Sequence, residues 1–425
     1  MKENSTSALA LINGRISADN GTATAVYMKD GIIRAVGADR DILALCKADT
    51  TVLDMRKKRI LPGITDVNTH LLAAGREIYS RTNKLHFPYR PEEIKEWFNT
   101  VKKELLLYGI TSVYTEDSDV FEHPADAAAF YRTIDKEEGL PFRVTYMVRV
   151  KNVTQLREYI KSGILKISSE NFRTGAFIIR ADGDLASRSA ALKKDYSDSA
   201  GVKGEMLLTP EELVAIINEA EKANCRIIFE AQGDLAAEKI AQAVSFLRER
   251  GSMHTTHRIR NLKLAPAHIC EQLRRNGIAV ELTPQTLISD GALTIKKLGA
   301  ERSRESNAWR TMLLSGVVMG AGSDSPVNKL SPFTGMRYIT LRQDENNQPH
   351  FGWMPAERLT REEAYRIYTA GNAMLCGEKN TGRIEPGCRG DIAVFMEDVF
   401  DTEDEEFINN RSGLTIVNGK IKYIK

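Results

Sequence analysis

The sequence is poor in cysteine, with five in 425 residues, and none of them stands in a CxxC pair. Cys46, Cys225, Cys270, Cys376 and Cys388 are scattered and odd in number, which argues against a disulfide framework and a thiolate zinc site. Long apolar runs are missing too. Nothing approaches the roughly 18 consecutive apolar residues of a membrane-spanning helix. The opening MKENSTSALALINGR has no apolar stretch followed by a small-residue cleavage site, so no signal peptide is expected and a reducing cytoplasm fits best. A surplus of charge is also absent, with 59 Lys+Arg against 57 Asp+Glu. That removes the driving force for binding nucleic acid or an anionic membrane. The local cluster Arg248, Arg250, His254, His257, Arg258 and Arg260 reads as a solvated loop entering a strand. No GxGxxG follows an early strand, which weakens a dinucleotide-binding design.

What is present begins with two similar ends. ALALINGRIS and TATAVYMKDGIIRAVG alternate apolar with polar residues near the start, as half-buried strands do. Asp30-Gly31 divides two such runs, and both turn positions of that hairpin type need positive φ. At the far end Asn418-Gly419 plays the same part within LTIVNGKIKYIK. The ends either pair as one discontinuous β-sandwich, over 1–61 and 379–425, or cap a single fold as two separate hairpins.

Between them, over 62–378, short apolar runs alternate with amphipathic helical stretches. PEEIKEWFNTVKKELLLYG, TPEELVAIINEAEKANC, LAAEKIAQAVSFLRERG and TREEAYRIYTAGNAML read as helices. TPEEL and TREEA carry Thr with Glu three residues on, a capping box. LPGITDVNTH, ITSVYTE, FRVTYMV, GAFIIRA, RIIFEAQ, RIRNLKL, IAVELTP and VVMGAGSD read as strands. Regular alternation of that kind predicts an α/β fold, a TIM-like (β/α)8 barrel, with an open doubly wound sheet as the competitor. A barrel places its chemistry at the C-terminal ends of the strands. Asn68, His70, Glu116, Asp117, Asp182, Glu230, Asn261 and Asp324 are therefore the side chains to weigh.

LPGITDVNTHLLAAG resembles the first-strand motif PG-x-x-D-x-H-x-H of the amidohydrolase superfamily, and AGSDSPV resembles its last-strand Ser-Asp element. FIIRADGDLASRSAALKKDYSD, EAQGDLA and YTAGNAML with GRIEPGCRGDIAVF resemble successive landmarks of the branch holding the N-substituted formamide deformylases. The resemblance runs in order along nearly the whole chain, which is shorter than such proteins. It implies the barrel with its small β-sandwich, and hydrolysis of amide-type C–N bonds with one or two divalent metals. A bound metal lowers the pKa of its water from far above the physiological range towards about 7.

Carried over by position, the implied ligand set is reduced. Asn68 stands for the first histidine, with His70 kept as the second. Ile178 stands for the bridging lysine, and a side chain without a donor atom excludes a binuclear site. Glu230 and Asn261 stand for the fifth- and sixth-strand histidines, and Asp324 is intact. His257 cannot replace Asn261, because four extended residues separate them by roughly 13 Å. One divalent ion (Zn, Mn or Mg) on His70, Glu230 and Asp324 is what remains, with Asp324 as the catalytic proton carrier. Asn68, Asn261, Asp182 and Arg188 would line the pocket, with Arg188 anchoring a substrate carboxylate or capping a helix.

Three functions stay open at this point. The first is a metal-assisted hydrolase of a small molecule. The second is a barrel that has lost catalysis and binds a small polar ligand without metal. The third is metal-free chemistry in which Glu230 and Asp324 act as acid and base. A plainer arrangement has His70 and Asp324 paired across the mouth and Glu230 held by an arginine such as Arg180. Relatives of the superfamily also imply a homodimer.

Overall fold

The computed structural model describes residues 8–18 and 21–425. Eight parallel strands run Ile64–Thr69, Ile110–Thr115, Arg143–Arg149, Phe172–Arg180, Arg226–Glu230, Arg258–Arg260, Ala279–Leu282 and Met319–Ala321, each hydrogen-bonded to the next in sequence order. Every one of the eight apolar runs forms its strand, and sequential neighbours at every step make a barrel rather than a doubly wound sheet. Alternation sorts the side chains. Ile227, Phe229, Ile259 and Val280 pack outward against the helices, while Val67, Met147, Ile178, Ile228 and Ala279 fill the interior.

The seam between the last and first strands has a bridge only at its mouth end, Thr69 beside Ser325. Lower down, one side chain spans it. Asn372 Oδ1 accepts from Ala321 N at 2.8 Å, and Asn372 Nδ2 donates to Thr65 O at 2.6 Å and Ala321 O at 2.9 Å. The asparagine of YTAGNAML thus stands in for missing ladder bonds. The helix read over this segment is interrupted for that purpose, with a π-turn at Ile367–Gly371 between Arg361–Arg366 and Asn372–Leu375. Gly320 is required opposite, since a Cβ there would lie 2.2 Å from Asn372 Oδ1. Asn372→Ala would leave buried backbone groups unpaired, and thermal melting should report a loss on the order of 3 kcal/mol.

Two four-stranded sheets flank the barrel. One orders Ile32–Gly37, Ala25–Lys29, Ala8–Ile12 and Thr50–Asp54; the other orders Lys420–Ile424, Ser412–Val417, Ile392–Phe395 and Leu61–Pro62. Leu9, Leu11, Val26 and Met28 share one core with Ile392, Val394, Leu414 and Ile416, so the two ends build a sandwich together. The two hairpin turns adopt the expected positive φ, at 55° and 77° for Asp30-Gly31 and 49° and 68° for Asn418-Gly419. Both capping boxes form, Thr209 with Glu212 and Thr360 with Glu363. The five cysteines are free. Among the described residues no helix is long and apolar enough to cross a membrane.

Candidate active site at the barrel mouth

The first and last strands meet at a buried carboxylate. Asp66 accepts from Asn68 N at 3.1 Å and Ser323 N at 3.0 Å, which turns both chain segments towards the mouth. Burial pushes its carboxyl up to about 7 against those hydrogen bonds. The unfolded value is about 3.9. The folded state therefore holds more protons between those values, and stability falls as pH rises from about 4 to about 7. Asp66→Asn should flatten that slope in melting curves taken from pH 5 to 8.

Asp324 follows in a left-handed turn, at φ 58°, and its N donates to Asn68 O at 2.7 Å. Its Oδ1 accepts from Asn68 Nδ2 at 3.2 Å. Burial raises its carboxyl above the usual range, opposed by the nearby charges of Arg260 and His70. His70 begins the helix Leu71–Ser80 and lies among three acids. Its Nε2 is 3.8 Å from Asp324, and its Nδ1 is 3.7 Å from Glu116 and 3.9 Å from Asp119. These separations exceed hydrogen-bond length, so the imidazole sits in an acidic ring without being fastened to it.

Glu230 is committed elsewhere. Arg149, at the end of the third strand, reaches both its oxygens, Nη1 to Oε2 at 2.7 Å and Nη2 to Oε1 at 3.0 Å. Burial works to raise the Glu230 carboxyl, but this fork and the charge of Arg260 outweigh it and hold it below its ordinary range. The partner is thus Arg149 and not Arg180, which turns outward to Asp184 at 2.7 Å. Arg149 also lies 3.4 Å from Glu116.

Beneath these groups the barrel interior is ionic. Arg258 and Arg260 point inward from alternate positions of the sixth strand, and fully buried Glu281 faces both from the seventh. Arg258 Nε lies 2.6 Å from Glu281 Oε2, and Arg260 Nε bonds its other oxygen. Arg258 donates to Cys376 Sγ at 3.4 Å, and Arg260 to Met147 Sδ at 3.5 Å. Half of the basic cluster read as a solvated loop is therefore core. Arg248, Arg250 and His254 are exposed, whereas His257, Arg258 and Arg260 are buried. His257 accepts from Ile227 N at 3.0 Å and meets Glu221 at 2.9 Å, a structural role.

The other pocket candidates serve the scaffold. Asp182 accepts from three backbone amides, Ala191, Gln232 and Gly233, each at 2.9 Å, tying the loop after the fourth strand to that after the fifth. Arg188 grips Asp198 with Nε at 3.0 Å and Nη2 at 2.8 Å, so it neither caps a helix nor stands free for a substrate carboxylate. Asn261 Oδ1 accepts from Thr283 at 2.6 Å. Asp117 is spent on Leu72 N, Thr115 and Tyr131, whereas Glu116 faces the mouth. Ile178 lies in the apolar interior.

These donors fit a divalent metal badly. His70 and Asp324 come together, but Glu230 is held by Arg149 instead of joining them. Among the described residues no three His, Cys, Asp or Glu side chains form a group that could hold a metal ion. Asn68 offers Oδ1, which is buried without a hydrogen-bond partner, but a neutral amide is a weak zinc ligand. Arg260 Nη1 stands 3.8 Å from Glu230. A divalent ion about 4 Å from that guanidinium would meet a repulsion of about 8 kcal/mol at an effective dielectric of about 20.

Residues 65–423 match the model of the amidohydrolase family, and that span covers both the barrel and the C-terminal strands of the sandwich. The chain belongs to the amidohydrolase family. It is 27% identical over 339 residues to YtcJ of Bacillus subtilis (strain 168), covering 80% of this chain and 63% of that protein. It is 23% identical over 305 residues to the N-substituted formamide deformylase of Arthrobacter pascens, covering 70% of this chain and 55% of the enzyme. The chain thus spans less than two thirds of the length of these relatives. A metal-dependent hydrolase from Pyrococcus horikoshii OT3 superposes with a TM-score of 0.78 at 16% identity, covering 94% of this chain and 99% of the other. The triazine hydrolase from Arthobacter aurescens superposes with a TM-score of 0.64 at 17% identity, covering 98% of this chain and 94% of the other. At those identities the likeness is one of fold, and the fold is that of amidohydrolase-like hydrolases.

Arg149 escaped the reading of the sequence, and Arg258 and Arg260 were read as a solvated loop rather than as the partners of Glu281. Their signal was parity. Arg149 follows interior Met147 by two residues, and Glu281 follows interior Ala279 by two.

Proposed function

We propose that the chain is a metal-independent member of the amidohydrolase family that uses its barrel mouth to bind a small polar molecule. The arginine fork on Glu230 carries this reading, because it occupies a carboxylate that a metal would need. The groups left for a ligand are His70, Asp324 and the outer edge of Arg149, whose side chains are 24%, 22% and 37% exposed. Together they present donors and acceptors to a small amide, ureide or amino acid derivative. A thermal-shift screen of such compounds tests it, run with and without chelator. Stabilisation that persists in chelator supports the reading, and stabilisation abolished by chelator contradicts it.

Hydrolysis of a C–N bond without metal is the second reading. It is favoured by the approach of His70 to Asp324, an imidazole and a carboxyl of raised pKa that together can take and return a proton beside a bound amide. Turnover of any amide in the screen that is lost in both His70→Ala and Asp324→Asn would select it.

A further inference from the structure

We propose that the guanidinium of Arg260 is the resident cation of this barrel, lying between Glu230 and Glu281 beneath the mouth and closing it to divalent ions. Glu230, Arg260 and Glu281 lie side by side in register on the fifth, sixth and seventh strands. Alternation aims all three inward at one level. Arg260 Nε binds Glu281, its Nη1 lies 3.8 Å from Glu230, and its Nη2 rests on Met147 Sδ from the far side of the barrel. The guanidinium therefore meets side chains of the third, fifth and seventh strands at once. The carboxyl of Asp324, in the turn after the eighth strand, also feels its charge, which opposes the effect of burial.

Arg258 cannot take this place. It lies one level deeper, in register with Ile228 and Ala279, with its Nη groups on Cys376 and Met147 and only its Nε beside Glu281. Nor is Arg260 a ligand-binding arginine, since its side chain is only 3% exposed. Its remaining role is to neutralise buried acids from within. The seventh-strand acid needs a permanent cation whether or not anything is bound, because a lone buried carboxylate is strongly disfavoured. A covalently attached guanidinium supplies that charge in every molecule, and no exchangeable ion can displace it.

The proposal rests on the metal-independent reading above and can fail separately from it. Arg260→Met keeps most of the stem and deletes the cation, leaving Glu230 with Arg149 and Glu281 with Arg258 as their remaining partners. The experiment compares melting temperatures of the full wild-type chain and this variant with Mn²⁺, with Zn²⁺ and with EDTA, alongside bound metal after equilibrium dialysis. The wild type is expected to be indifferent to both ions and to chelator. The variant is expected to melt lower in EDTA, to rise with Mn²⁺ or Zn²⁺, and to retain a stoichiometric ion. In Arg260→Met/Glu281→Gln, which also removes one of the acids, that gain should disappear. A methionine variant that no ion rescues, folded or not, overturns the proposal and leaves the metal-independent reading standing. A double variant that binds metal as the single one does overturns it as well. Stoichiometric metal on the wild type overturns both.

Discussion

Glu281→Ala is expected to cost about 3–5 kcal/mol, because it strands the buried Arg258 guanidinium without a counter-ion and leaves Arg260 only Glu230, 3.8 Å away. The carboxylate lies at the centre of the barrel, with Arg258 on one oxygen and Arg260 on the other. Water cannot reach the site to replace it, since Glu281 is fully buried. Glu281→Gln keeps the shape but not the charge, so it should lose most of the same amount. Exchanging the arginines and the glutamate together for apolar residues of similar volume should come close to neutral, as buried ion pairs often contribute little net stability. The denaturation midpoint in urea is the measurement. A Glu281→Ala variant within about 0.5 kcal/mol of wild type, the scatter of ordinary surface changes, would mean the network is not buried as described.

Asp182→Ala is the second large effect expected. Its two oxygens serve amides of Ala191, Gln232 and Gly233, so alanine leaves three donors unpaired in a largely water-free loop junction. Each buried donor left without an acceptor costs about 1–3 kcal/mol, giving a total on the order of 4 kcal/mol. Asp182→Asn retains one acceptor oxygen and should lose roughly half of that. Because both oxygens are committed to backbone amides, ligand affinity per folded molecule should not change. Melting temperature together with proteolysis of the loop following Asp182 would report the loss. A stable variant with altered ligand binding would restore Asp182 to the pocket.

The fold was legible because its signals are local. Short apolar runs between amphipathic helices marked all eight barrel strands, Thr-x-x-Glu marked two helix starts, and Asp-Gly and Asn-Gly marked two hairpins. The seam was not legible, because Asn372 acts across more than 300 residues on Thr65. The site was half legible. Position along a strand placed His70, Glu230 and Asp324 at the mouth, but position alone does not say which partner each side chain takes. Arg180 is the register neighbour of Glu230, yet Asp184 four residues on draws it outward. Arg149, 81 residues away in sequence, takes the glutamate instead. Arginines flanking Ile259 looked like surface because charge outweighs parity in a sequence taken alone. Paired with Glu281, they are core.

The central claim is that protein cations, not a metal, satisfy the acids at this mouth. Elemental analysis of the chain, purified without chelator from cells supplied with zinc and manganese, tests it most directly. The account predicts only substoichiometric traces of any divalent metal. A stoichiometric ion that is retained on dialysis and lost in His70→Ala would contradict it.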